Sequence, residues 1–306
     1  MVWRRGLLVL LAAPLSRPCC AFVQASFGAA RERAVIARHG SDSASEGRAF
    51  AIEQLCMVED TDMFGHMYHG NYIKWLARAS QKCLGHDTVL IGVDALRYRN
   101  AAVLGDNMVI SGTFSEDAQA WQCSVVDARN EKRVFVTASV LLGTASSDAG
   151  ASALAGKVES VPQSAQYFDM VAYGDELGAD GALSPSSVIN YMERTRTLSL
   201  GPPEEGLYRL HKQGTDIVIS RISDLRLDHT VRIAPGAELE VVNSGSANRR
   251  TVSVRQRVYV KAPDEVSGRR LIAHATVELL CIDGATKKLS AFPDWILERL
   301  HVISSI

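Results

Sequence analysis

The feature that most constrains what this chain can fold into is an internal repeat. Gly65 and Gly85 recur as Gly181 and Gly201, and Arg78 and Leu84 recur as Arg194 and Leu200, in each case 116 residues further on. A fixed offset of this kind implies two copies of one supersecondary unit rather than one large fold. In the first copy Tyr72, Trp75, Leu76, Ala79 and Cys83 fall at helical spacing and stop at Gly85. In the second, Val188, Tyr191, Met192, Thr195 and Ser199 do the same and stop at Gly201. Such spacing draws one buried stripe along a helix, and a glycine after it terminates the helix. Ser184-Pro185 adds a start signal, a hydroxyl cap followed by proline at the first helical position.

A short strand precedes each helix, Ala51 to Val58 and Tyr167 to Val171. Four β-branched or alternating segments follow it: 88–98, 107–115, 119–127 and 133–142 in the first copy, 216–227, 237–243, 251–261 and 270–282 in the second. Even the text recurs, Leu96-Arg97-Tyr98 before Gly105-Asp106 and Leu225-Arg226-Leu227 before Pro235-Gly236. One strand, one helix and a run of antiparallel strands predict an α+β module, a sheet wrapped around a central helix. Such a sheet has a long free edge, which two tandem copies cover by pairing edge to edge as an intrachain pseudo-dimer.

Two segments stand apart from the modules. Residues 144–160 are rich in Ala, Gly and Ser without apolar periodicity and read as a linker between modules at 50–143 and 161–306. Residues 1–49 read as an address. Arg4 and Arg5 precede the apolar run Leu7 to Leu15, too short to span a bilayer, and Pro18-Cys19-Cys20-Ala21 supplies small residues for cleavage. Phe22 then opens a basic, hydroxylated stretch, a combination that resembles the bipartite presequences of algae with secondary plastids. Secretion and mitochondrial import are the alternatives. No membrane-spanning run is expected in the mature chain, and a formal net charge of −1 does not recommend nucleic acid as a partner. Cys56, Cys83, Cys123 and Cys281 lack CxxC spacing and read as reduced thiols rather than a disulfide framework or metal knuckle.

The chemistry is concentrated in the loop ahead of the first helix, Glu59-Asp60-Thr61-Asp62-Met63-Phe64-Gly65-His66-Met67-Tyr68-His69-Gly70-Asn71-Tyr72. A helix N-terminus offers unpaired N–H groups and a positive dipole end, which stabilise an oxyanion growing on a carbonyl. An aspartate, with an ordinary pKa of about 3.9, is ionised near pH 7 and can act as nucleophile or as base for water. These are the parts of an acyl-transfer site. Asp60 also reads as a cap or turn residue, and His86, His211, His229 and His274 read as structural.

The string DTDMFGHMYHGNY followed by an amphipathic helix resembles the signature of the 4-hydroxybenzoyl-CoA thioesterase branch of the hotdog-fold superfamily. Tyr98, Gly105 and Asp106 match its further pattern, so the resemblance covers nearly all of 50–143 and reaches 161–306 through the repeat alone. It implies two hotdog domains and hydrolysis of an acyl thioester of coenzyme A or of acyl carrier protein, with no cofactor and no metal. By the same resemblance Asp62 is the catalytic carboxylate, attacking the carbonyl or activating water. The amides near His69 and Gly70 polarise the carbonyl oxygen, the side chains of His69 and Tyr68 shape the site or orient water, Asn71 and Tyr72 fix the loop, and His66 belongs to the motif without an assigned role.

The second copy departs from the pattern. Gly178, Ala182, Ser184 and Pro185 stand where the first has Asp62, His66, Tyr68 and His69. It keeps the helical E-R-x-R pattern as Glu193-Arg194-Thr195-Arg196, where the first has Ala77-Arg78-Ala79-Ser80. Glu193 is therefore either structural or completes a site across the interface. One competent site per chain follows, unless chains pair further as a dimer of pseudo-dimers. Beside fatty acyl hydrolysis stand an aromatic, naphthoyl-type thioesterase, a hotdog dehydratase, whose usual His-containing motifs are missing, and a non-catalytic acyl-binding protein.

Overall fold

The computed structural model describes residues 34–35, 48–62, 65–145, 150, 154, 161–178, 180–202, 204–247, 250–262, 268–300 and 303–304. Most of the presequence and linker readings, and Met63 and Phe64 of the motif loop, lie outside these residues.

Each half builds the module that its patterning predicts. In the first, β1 (Ala34–Val35) and β2 (Arg48–Leu55) lead through a 3-10 turn at Val58–Asp60 into α1 (His69–Leu84). Four strands follow: β3 (Thr88–Tyr98), β4 (Asn107–Ser115), β5 (Ala120–Asp127) and β6 (Asn130–Thr144). The second half runs β7 (Gln166–Val171), a 3-10 turn at Gly174–Glu176, α2 (Pro185–Ser199), α3 (Leu207–Lys212), β8 (Thr215–Leu227), β9 (Glu238–Ala247), β10 (Thr251–Lys261) and β11 (Arg269–Asp283). It ends with β12 (Leu289–Ser290), α4 (Asp294–Arg299) and β13 (Ile303–Ser304). α3 and α4 have no signal in the repeat, because both are additions to the second copy. The insertion of α3 also carries the later strands out of the 116-residue register.

Among the described residues the strands form one sheet, in the order β1-β2-β4-β5-β6-β3-β8-β11-β10-β9-β13, with β7 on β9 and β12 on β11. The halves join where β3 pairs antiparallel with β8, Gly92 opposite Arg226 through Arg97 opposite Arg221. Edge-to-edge pairing thus closes the pseudo-dimer, and Arg226 reinforces it by donating to Asp94 Oδ1 at 2.6 Å. α1 and α2 lie inside this sheet and pack on one another. Tyr72, Ile73, Trp75, Leu76 and Ala79 of α1 and Val188, Ile189, Tyr191 and Met192 of α2 are buried in one continuous core with Met108, Ile110, Trp121 and Val125 of the sheet. Burying aliphatic and aromatic side chains on this scale is the main force for folding. Cys56, Cys123 and Cys281 are buried, Cys83 is half-buried, and all four are free thiols.

The repeat extends to backbone hydrogen bonds. The Asp62 amide donates to His66 O and that of Gly65 to Asp62 O; in the second half Gly178 donates to Ala182 O and Gly181 to Gly178 O. Gly65 and Gly181 sit at φ of 78° and 79°, the left-handed region that glycine enters without strain. At these described positions the two motif loops follow the same hydrogen-bond path while their side chains differ.

Candidate active site

The loop is set against α1 by its own polar groups. Asp60, almost fully buried, accepts the Met57 amide at 3.1 Å and lies 3.5 Å from Lys74 Nζ. Its carbonyl accepts the Tyr68 amide at 2.8 Å and Asn71 Nδ2 at 3.0 Å. From below, Tyr98 donates its hydroxyl to the carbonyl of His69 at 3.0 Å, and Tyr72 accepts the Ala102 amide at 3.3 Å. Gly105-Asp106 serves a turn, Asp106 accepting the Val103 amide at 2.9 Å and Arg133 Nη1 at 3.1 Å.

These contacts fix the start of α1, with Tyr68 at the N-cap and His69 as first helical residue. Tyr68 offers no side-chain cap, and the N–H groups of His69 and Gly70 have no acceptor among the described residues. Such orphan donors are the anion-binding end of a helix. At this end α1 meets α2 closely. A methyl group on Gly70 would lie 2.8 Å from Tyr68 Cε1, 3.2 Å from Asn190 Oδ1 and 3.4 Å from Ile189 Cγ2, so a larger residue would have to displace Tyr68 and Asn190.

A cleft of about 580 Å³ opens here between the halves, lined by Tyr68 of the first and by residues of the second, among them Asn190, Glu193 and Arg194. Glu193 ties this lining to a cluster of polar side chains behind it. His69 Nε2 lies 3.4 Å from Glu193 Oε2 and 3.4 Å from Arg196 Nη2. Arg196 binds Glu193 Oε2 and, on its other nitrogen, Gln256 Oε1. Burial lowers the His69 pKa to about 4, Glu193 opposing it, Arg196 adding to it and Asp62 opposing it last, so the imidazole is neutral at pH 7. Burial works to raise the Glu193 carboxyl, but Arg196 and then His69 outweigh it and hold it below the ordinary glutamate range. The Tyr68 hydroxyl is pushed up, first by burial and then by Glu193, and stays protonated.

The structure thus brings together Tyr68, His69, Gly70 and Glu193, four of the residues singled out by sequence. Asp62 and His66 lie in the turn just before them. Half-buried Asp62 accepts the His66 amide on Oδ1 at 3.1 Å, and its charge is felt at His69. His66 is exposed and bridges to Val103. Asn71 and Tyr72 hold the loop. Sequence reasoning missed Asn190, Arg196 and the contact of Tyr98 with His69. The E-R-x-R pattern was the available signal for Arg196, but nothing local marks Asn190. Another hollow, of about 450 Å³ on the outer face of the sheet around Cys123 and Ser139, has Arg97 as its only charged lining residue.

No family model matches the chain, and no curated protein matches it in sequence. Solved structures do. A protein described as an oleoyl thioesterase from Lactobacillus plantarum superposes with a TM-score of 0.51 at 9% identity, over 76% of this chain and 95% of that one. The 12:0-ACP thioesterase of Umbellularia californica gives a TM-score of 0.49 at 9% identity, over 76% and 93%. The likeness is one of architecture: this chain has the double hotdog fold.

Proposed function

We propose that the chain hydrolyses acyl thioesters, of coenzyme A or of acyl carrier protein, in the cleft at the start of α1. The observation that carries this reading is the pair of amides of His69 and Gly70, unsatisfied among the described residues, at the helix end where Tyr68 and ionised Glu193 line the cleft, with neutral His69 against Glu193 and the charge of Asp62 acting on that ring. A thioester carbonyl oxygen seated on those amides gains negative charge as the carbonyl carbon is attacked, and fixed dipoles already aimed there lower the barrier. Asp62 either takes the proton of a water whose oxygen bonds to that carbon, or bonds to it directly and forms an anhydride that water then cleaves. In both routes the C–S bond breaks, sulfur leaves as a thiol carrying one proton, and a carboxylic acid is released. In a single turnover in isotopically labelled water, label appearing in the aspartate identifies direct attack with water cleaving the anhydride at the aspartyl carbonyl.

The experiment is thiol release by the purified protein on a panel of acyl thioesters, with Asp62→Asn beside it. The variant is expected to lose on the order of a hundredfold or more, about 3 kcal/mol of transition-state stabilisation. Equal rates in the two proteins would leave acyl binding without catalysis. The presequence reading supports a plastid setting and, with it, a carrier-protein thioester. Residues 1–49 fused to a fluorescent protein in an alga with a secondary plastid test that address, and a uniform cytosolic signal would refute it.

A further inference from the structure

The peptide group that joins His69 to Gly70 has two polar ends, which a trans peptide points in opposite directions. One end is the Gly70 amide, which has no acceptor among the described residues. The other is the carbonyl of His69, which accepts the hydroxyl of Tyr98 at 3.0 Å. A carbonyl oxygen cannot donate, so the direction of this bond is fixed. A hydrogen bond on a carbonyl draws electrons from the amide nitrogen and makes its hydrogen a stronger donor, so that bonds in series reinforce one another. The series here runs from the Tyr98 hydroxyl through the His69 carbonyl to the Gly70 N–H. It ends at the helix start where Tyr68 lines the cleft.

Tyr98 is held for this contact. It is the last residue of β3, where β6 pairs with it, Tyr98 opposite Val136. The Tyr72 ring meets its ring edge-on, centroids 5.7 Å apart, and Tyr72 is itself tied down by the Ala102 amide. Burial, then Tyr72, pushes the Tyr98 phenol far above its ordinary range, so it keeps its hydrogen at neutral pH. The twin helix start is built differently. Before α2, Ser184 caps the helix, its Oγ accepting the Ser187 amide at 3.1 Å, and Pro185, which has no amide hydrogen, stands in place of His69. Leu227 ends β8 as Tyr98 ends β3, and has no hydrogen to donate from its side chain. The capped end comes without the tyrosine, and the uncapped end comes with it.

We propose that Tyr98 is a positioning residue of the first half's site: its hydroxyl, bound to the carbonyl of His69, aims the shared peptide group and strengthens the Gly70 N–H as donor to the oxyanion, a role that rests on the function proposed above. Tyr98 does not line the cleft and acts through the peptide alone.

The test joins NMR to turnover on the full chain. Labelling with carbonyl-¹³C histidine and ¹⁵N glycine gives a coupled amide signal from His–Gly peptides alone. The sequence has two of these, His39-Gly40 and His69-Gly70, and His39→Gln removes the first. In Tyr98→Phe, which deletes one hydroxyl, the Gly70 nitrogen and proton are expected to move upfield, the mark of a less polarised amide. Difluorotyrosine in place of Tyr98, a more acidic phenol and a stronger donor, is expected to move them downfield. Turnover should follow the same order with KM little changed: kcat about twofold to tenfold lower in Tyr98→Phe, and at or above the parent with difluorotyrosine. That range follows because one oxyanion donor carries roughly a hundredfold to a thousandfold in rate, of which a bond in series tunes a fraction. A hydroxyl that only braced the helix would shift the urea midpoint and leave kcat of the folded protein indifferent to phenol acidity. A Gly70 signal unmoved in Tyr98→Phe, or a kcat indifferent to that acidity, overturns the proposal. Should the parent cleave no thioester, the function proposed above falls instead, and the Gly70 shift alone decides whether Tyr98 polarises this peptide.

Discussion

Asp60 and Glu176 do the same work 116 residues apart. Asp60 Oδ2 accepts the Met57 amide at 3.1 Å, and Glu176 Oε2 accepts the Tyr173 amide at 3.3 Å, each closing the 3-10 turn that leads into its half's motif loop. Glu176 also takes hydrogen bonds from Tyr191 and Arg194 on α2, as Asp60 takes Lys74 on α1. The first acid of the D-x-D motif thus belongs to the fold and persists in the half that has lost the second acid.

This separates the two aspartates experimentally. Asp60→Ala strips a buried carboxylate from the Met57 amide and Lys74, and is expected to cost about 2 kcal/mol in urea unfolding, the usual penalty for leaving buried donors unpaired. Asp62→Ala removes a half-buried loop carboxylate and should cost less than about 1 kcal/mol while abolishing turnover. Reversal of that order would mean that Asp62 holds the loop.

Tandem architecture was legible because apolar spacing and glycine punctuation are local signals, and each strand's alternation survives in both copies. Three strands, β3, β4 and β10, begin and end where their patterning does. α3 and α4 escaped notice because six residues are too few for a periodic stripe to declare itself. In the site, the loop residues could be read from the motif, whereas the contact of His69 with Glu193 spans 124 positions and exists only because the β3–β8 seam sets α1 against α2. Chemistry that depends on a register between distant strands leaves no mark in either segment alone.

Gly70 offers a check on how tightly the helices meet. Alanine in a helix is ordinarily preferred over glycine by up to about 1 kcal/mol. Here its methyl would sit 2.8 Å from the Tyr68 ring and 3.2 Å from Asn190, and overpacking of this kind costs about 1–3 kcal/mol. Gly70→Ala is therefore expected to lower the unfolding free energy, and to depress thiol release further by pushing α2 off the amides. A more stable variant with full activity would show that the two helices yield to the added methyl.

Acid should find His69. Its folded pKa is held near 4 by burial, while in the unfolded chain it titrates near 6.5. Between those values the unfolded state binds a proton that the folded state refuses, so stability falls as pH drops from about 6.5 to about 4, by about 3 kcal/mol in all. Glu193, also depressed, adds its loss only below the ordinary glutamate pKa of about 4.3, at the acid end of that window. Denaturation midpoints measured from pH 7 to pH 4.5 should decline steeply for the parent and less steeply for His69→Gln. Parallel slopes would place the His69 ring in solvent.

Restoring the missing acid to the second half is expected to achieve nothing. At Gly178 a side chain needs only the tip of Asp180, 2.7 Å from a Cβ, to swing aside, and its loop follows the same hydrogen-bond path as that of Asp62 at the described positions. Gly178→Asp should therefore fold. Yet the twin site would still have Pro185 in place of His69, which removes an amide donor as well as an imidazole, and Ala77 and Ser80 in place of Glu193 and Arg196. A carboxylate alone, without a prepared acceptor for the oxyanion or an oriented ring, confers little rate. kcat per chain should stay within about twofold of the parent, since the effects of groups that act as a unit do not add one by one. A doubling of active sites, seen as two equivalents of acyl group turned over per chain in the first cycle, would show that the aspartate and the helix end suffice and that the contribution of α2 to the first site is dispensable.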